Sequence, residues 1–165
     1  MFQDKEKFNV ALTQFLDASP TPFHAVSSMA SMLRKDGFTE LREDDEWALL
    51  AGNKHFVTRN GSSMIAFIVG QAPLLDTGIK MVGAHTDSPC LMVKPQPEIS
   101  KQGYLQLGVE VYGGALLNPW FDRDLSIAGR IVYQDASGGL KQKLVDFERA
   151  VAMIPSLAIH LDREA

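Results

Sequence analysis

The chain has 165 residues, 45% of them hydrophobic and 22% charged, with a formal net charge of −4: enough for one ordinary core, and no electrostatic reason to expect a nucleic-acid partner. No apolar run approaches the roughly 20 residues that cross a bilayer, and Met1–Lys7 has no apolar stretch of signal-peptide length, so no membrane association is expected. The single cysteine, Cys90, excludes an internal disulfide and fits a reducing compartment, which makes the cytoplasm the expected location and the Asn60-Gly61-Ser62 sequon uninformative.

The first forty residues read as two amphipathic helices. Phe8, Leu12, Phe15 and Leu16 fall at i, i+4, i+7 and i+8, one face of a helix from about Asp4 to Ala18. The second begins at Thr21, an N-cap followed by Pro22 at the first helical position, and ends at Gly37. Its apolar side is Phe23, Val26, Met29, Ala30 and Leu33, and both helices are expected to pack on a sheet. His24, on the first turn, reads as a capping or structural group rather than a ligand. Strands follow. Asn60-Gly61 between His55–Thr58 and Met64–Val69 is a strong hairpin signal, with His55 expected in solvent. Ile79–Ala84 is too apolar for a half-exposed strand and suits a central one buried on both faces. From about Leu91 the pattern shifts to shorter strands with Gly-rich connections: Leu105–Tyr112, Arg130–Gln134, a turn at Ser137-Gly138-Gly139, and Leu140–Val145. Helices followed by runs of strands indicate an α/β domain interrupted by a mostly β insertion.

The chemistry concentrates at His85-Thr86-Asp87-Ser88-Pro89, directly after the Ile79–Ala84 run. Residues at i and i+2 of an extended chain point the same way, so the Asp87 carboxylate can fix the proton on one nitrogen of His85 and leave the other for a metal. A strand's carboxyl end is also where open α/β sheets collect catalytic groups. The alternative is a structural hydrogen-bonded pair. Cys90 reads as a small hydrophobe rather than a ligand. Trp120-Phe121-Asp122-Arg123-Asp124 reads as a salt-bridged corner anchored by two rings, in preference to a substrate or metal site. Tyr112-Gly113-Gly114 lacks the rest of a phosphate loop and reads as a tight bend.

Four segments, in order, carry a resemblance: Ser19-Pro20-Thr21-Pro22-Phe23-His24-Ala25, Gly83-Ala84-His85-Thr86-Asp87-Ser88-Pro89-Cys90-Leu91, Trp120 to Arg130, and Ile154-Pro155-Ser156-Leu157-Ala158-Ile159-His160-Leu161. Together they resemble the M18 metallopeptidases, the aspartyl aminopeptidase family, over essentially the whole chain. The resemblance implies a zinc-exopeptidase-like α/β catalytic domain, its N-terminal half at residues 1–91, interrupted by a β-rich oligomerisation or substrate domain of which 92–165 would be part. Family members are more than twice as long, and their remaining metal-binding carboxylates, general-base Glu and last His ligand lie beyond the matching portion. The chain is accordingly expected to be an N-terminal portion, inactive by itself and a weak binder of zinc. Leu161-Asp162-Arg163-Glu164-Ala165 carries no helix-ending Gly or Pro, so it is expected to stop inside an element.

The activity implied is removal of N-terminal residues, preferably Asp or Glu, from peptides by a two-zinc site, with cobalt or manganese also acceptable to such ligands. In that scheme His85 binds zinc, Asp87 orients it, and His160 is either a second ligand or a group reaching a substrate pocket, its own or a neighbouring subunit's. A homo-oligomer is implied as well. His160 could instead be a helix-end residue, with Ile154, Leu157 and Leu161 at helical spacing. Two other readings compete: a related two-metal exopeptidase or deacylase, and a non-catalytic assembly or binding module.

Overall fold

A computed structural model describes residues 2–161 of the chain. The expectation of an element interrupted at Asp162-Arg163-Glu164-Ala165 lies outside the described residues. The fold mixes helices with small sheets, and contacts divide it into two units. One runs to Asp87 and includes Gly129–Leu144; the other comprises Ser88–Ala128 and the residues from Val145 onward. Among the described residues no helix is long and apolar enough to cross a membrane.

The first unit opens with α1, Phe2–Asp17, and α2, Pro22–Lys35. The expected helix forms at α1, but of its stripe only Phe15 is partly buried, while Phe8, Leu12 and Leu16 are 66%, 44% and 59% exposed. Helical periodicity marks which face could be buried; it does not supply the neighbour that would bury it. At α2, Thr21 Oγ1 accepts the His24 N–H at 3.4 Å and lies 2.7 Å from His24 Nδ1, so His24 completes the cap. The helix closes as a Schellman motif, in which Phe38 N–H donates to the Leu33 carbonyl at 2.9 Å and Gly37 N–H to Arg34 at 3.2 Å. Gly37 sits at φ +81°, which an L side chain adopts only with strain.

The α2 face carrying buried Ala25, Val26 and Ala30 covers a three-stranded sheet. Its central strand β2, Lys54–Arg59, runs parallel to β1, Thr39–Leu41, and antiparallel to β3, Ser63–Ile68. The hairpin falls where Asn60-Gly61 places it: Arg59 pairs with Ser63, and Asn60 and Gly61 take φ of 53° and 62°. Phe56 is fully buried, with the Arg34 guanidinium 5.4 Å above its ring.

His55 corrects the expectation of a solvated ring. It is 7% exposed, and among the described residues neither ring nitrogen has a hydrogen-bond partner. Its cross-strand neighbour is Phe67, 5.7 Å away ring to ring, and Trp47 stacks on Phe67 at 6.3 Å, so aromatic matter covers this side of the central strand.

A short helix, α3, Leu74–Thr77, precedes the run expected to be a buried central strand. That expectation fails. Ile79–Ala84 forms no ladder, and Ile79, Met81 and Val82 are 70%, 82% and 99% exposed. A strand exists only through pairing with a neighbour, and none of the described strands lies alongside.

Two strands of a further ladder, β6 (Ala128–Gln134) and β7 (Leu140–Asp146), flank the expected Ser137-Gly138-Gly139 turn. Asp135 Oδ1 gathers it by accepting the N–H groups of Ser137 and Gly139, both at 2.9 Å.

The second unit is built on an antiparallel pair whose strands are β4, Cys90–Lys101, and β5, Tyr104–Tyr112. At 12 residues β4 is longer than the short strands expected, but its register slips between Val93 and Glu98. Pro95 and Pro97 lie in that gap and cannot donate to a ladder. Gly113, in the expected bend, takes φ +69°. Further on, isolated bridges join Phe121 to Ile154 and Leu125 to Ala152. These bridges, with Pro155 beside them, leave no helix over Ile154–Leu161, contrary to the spacing of Ile154, Leu157 and Leu161.

Candidate metal centre

His85 and Asp87 meet as the i, i+2 spacing predicts. His85 Nδ1 is 2.6 Å from the Asp87 backbone carbonyl and 3.4 Å from its carboxylate Oδ1. Both neighbours are acceptors, so the arrangement is satisfied with the proton on Nδ1, which leaves the Nε2 lone pair free. The carbonyl makes the shorter contact, so the backbone shares the orienting work expected of the carboxylate alone. The ring projects outward, its side chain 81% exposed against 44% for Asp87. Between them, half-buried Thr86 donates its hydroxyl to the Ser62 carbonyl at 2.6 Å. Sequence reading gives Thr86 no role, because its partner lies in a turn 24 residues earlier and nothing local announces it.

The donor chemistry suits zinc at this one corner: a neutral imidazole with one nitrogen anchored and the other open is the usual form of a His ligand. A catalytic zinc takes three protein ligands. Among the described residues no group of three or more His, Cys, Asp or Glu is placed to hold a metal.

His160 is exposed, in a turn closed by the Leu161 N–H on the Ala158 carbonyl at 2.8 Å, and belongs to the second unit. Cys90 is partly buried, and that burial pushes its thiol up, as suits a small hydrophobe. The Trp120–Asp124 segment is a structural corner that forms no salt bridge among the described residues: Arg123 donates to the Pro119 carbonyl at 3.2 Å, and the Asp122 carboxylate accepts from Ser156. The first unit also has an open pocket of about 270 Å³ lined by Phe23, Arg34, Glu40, Thr58, Arg130 and Lys143 among others, with His85 and Asp87 not part of its wall.

The sequence model of the family described as Aminopeptidase I zinc metalloprotease (M18) matches residues 15–165. The chain is 59% identical over 162 residues to a probable M18 family aminopeptidase 2 of Pseudomonas putida, a match covering 98% of this chain and 37% of that protein. It is 56% identical to the protein of the same description from Ectopseudomonas mendocina, again over 98% of this chain and 37% of the relative. The chain thus spans little more than a third of the curated relatives it matches. Among solved structures, Chaetomium thermophilum mApe1 superposes with a TM-score of 0.88 at 43% identity, over 95% of this chain and 36% of that one. The mApe1 dodecamer of S. cerevisiae gives a TM-score of 0.86 at 34% identity, over 95% of this chain and 37% of its own.

Proposed function

Because the chain belongs to the M18 family of zinc aminopeptidases, we propose that it is the N-terminal part of a zinc-dependent aminopeptidase that removes N-terminal residues, preferably Asp or Glu, from peptides. The observation carrying this reading is the His85 ring, held at Nδ1 by Asp87 with Nε2 open, inside a chain that matches the family over residues 15–165. His85 would be a direct zinc ligand and Asp87 the group that fixes its tautomer. His85 would hold zinc through Nε2, and bound zinc would supply activation of a water and polarisation of the scissile carbonyl. His160, exposed in its turn, would serve either that site or the substrate pocket of its own or a neighbouring subunit.

The remaining ligands and the general base would come from the part of the relatives that this chain does not span. The same part would cover the exposed Ile79–Ala84 run and the α1 stripe. The residues from 92 onward would then belong to a β-rich assembly domain, and a homo-oligomer acting in the cytoplasm is the form we propose, supported by the dodecameric S. cerevisiae neighbour. The preference for an acidic first residue rests on the four segments that resemble aspartyl aminopeptidases.

The test is to compare the natural gene product with this 18.2 kDa chain by intact mass, then to assay it on Asp-arylamide and Leu-arylamide with zinc and with a chelator. Chelator-sensitive turnover favouring Asp-arylamide, absent in His85→Ala, supports the reading. A natural product of this length that stays inert with metal overturns it and favours the non-catalytic assembly module.

A further inference from the structure

We propose that Thr86 and Arg130 are positioning residues that hold the His85 corner by gripping the β2–β3 turn from two sides. The inference rests on the reading of His85 as a zinc ligand and goes beyond it by naming what keeps that ligand in place.

The need for an anchor follows from the fold. Ile79–Ala84, which leads into His85, pairs with none of the described strands, so within this portion of the protein no strand pairing fixes the approach to the corner. The tie comes from a side chain instead. Thr86 Oγ1 donates to the Ser62 carbonyl at 2.6 Å, the shortest hydrogen-bond range for a hydroxyl and a carbonyl, and Thr86 is half-buried while the His85 beside it is open. Such a tie positions His85 only if Ser62 itself is held.

Ser62 belongs to the turn that contains Asn60 and Gly61, both at positive φ, and its N–H closes on the Arg59 carbonyl at 3.1 Å. Arg130 grips the same turn. Its Nη1 donates to the Asn60 carbonyl at 2.7 Å, with the Asn60 side-chain oxygen at 3.2 Å and Gln142 Oε1 at 3.4 Å. The guanidinium also lies 4.0 Å from the centre of the Phe23 ring on α2. One cation therefore binds α2, the hairpin turn and the β6–β7 ladder together, and the turn so fixed presents the Ser62 carbonyl to Thr86. The path from Arg130 to His85 is continuous: guanidinium, Asn60, turn backbone, Ser62 carbonyl, Thr86 hydroxyl. A planar fork is needed to reach Asn60 and Gln142 while stacking on Phe23, so lysine would not replace it.

The experiment uses the natural gene product labelled at its histidine ring nitrogens, as wild type, Thr86→Val, Thr86→Ser, Arg130→Lys and His85→Ala, each first checked for an unchanged thermal midpoint. Zinc is titrated while the ring resonances report tautomer and binding. Thr86→Val keeps the shape and deletes the hydroxyl, so the metal-free His85 ring loses its single Nδ1–H tautomer and zinc affinity falls about tenfold, the usual effect of removing an orienting partner. Thr86→Ser restores both, which a purely packing role for the methyl group would not do. Arg130→Lys moves both readouts in the direction of Thr86→Val. Wild-type tautomer and affinity in Thr86→Val overturn the proposal. Wild-type zinc affinity in His85→Ala overturns instead the reading of His85 as ligand, and the metal-free tautomer in Thr86→Val then still decides whether Thr86 positions the ring.

Discussion

Asp122 holds Ser156 with both carboxylate oxygens: Oδ1 accepts the Ser156 N–H at 3.0 Å and Oδ2 the Ser156 hydroxyl at 2.5 Å. The Asp122 N–H in turn donates to the Ile154 carbonyl at 2.9 Å, so the corner after Trp120 is laced to the segment that carries His160. These bonds, the Ser156 side chain first, hold the Asp122 carboxyl below its ordinary value. A carboxyl depressed in the folded state stabilises the fold above its unfolded value of about 3.9, and that contribution is lost as the pH falls through the folded value. The second unit should therefore lose stability on acidification below about pH 4. Asn tolerates the φ of +52° found here, so Asp122→Asn keeps the turn while removing the acid-sensitive group. Urea titrations read by Trp120 fluorescence in a Trp47→Phe background should show a shallower acid slope for Asp122→Asn; an identical slope would mean another group is responsible.

The Thr21 cap should be worth about 1 kcal/mol to the first unit, the usual effect of removing an N-cap hydroxyl. Thr21→Ala removes the acceptor for the His24 N–H and the partner of His24 Nδ1. Thr21→Ser should recover most of the loss. Chemical denaturation of the two variants measures it, and equal midpoints for Ala and Ser would show that the cap contributes nothing.

Features written in adjacent residues were readable from sequence: Thr21-Pro22 starts α2 and Gly37 ends it, Asn60-Gly61 makes the hairpin, and the i, i+2 spacing brings His85 to Asp87. Each depends on backbone preferences within a few residues. What escaped depends on neighbours far along the chain. His55 reads as solvated because a lone polar residue in a strand gives no sign that Phe67, with Trp47 stacked on it, will lie against its ring. The Ile79–Ala84 run and the α1 stripe show the converse, since apolar composition states a preference for burial without providing a partner. Thr86–Ser62 and Arg130–Asn60 join residues 24 and 70 apart, separations that periodicity cannot report.

Phe56→Ala should cost about 3–5 kcal/mol, because it empties the one large side chain that is fully buried among the described residues. The other buried apolar residues, Ala25, Val26 and Ala30, are small and cannot collapse into the space. A loss of that size takes most of the stability of a small domain, so helix signal in circular dichroism and Trp47 emission should change together. Phe56→Leu should cost distinctly less. A Phe56→Ala protein with a wild-type midpoint would show that this sheet does not depend on its central ring.

His55→Phe is expected to stabilise the first unit by about 1 kcal/mol. Burying a polar group without a partner costs free energy in the folded state, and both His55 nitrogens are buried and unpartnered. Phenylalanine removes that cost, keeps a ring beside Phe67 at its present 5.7 Å, and suits the central strand. His55→Asn supplies the contrasting case: it retains polar atoms, loses the ring contact and should destabilise. Denaturation midpoints should therefore rank Phe above His above Asn. A drop for Phe would mean that the imidazole contributes something its surroundings do not reveal, and would point back to His55 as a polar group retained for function rather than for folding.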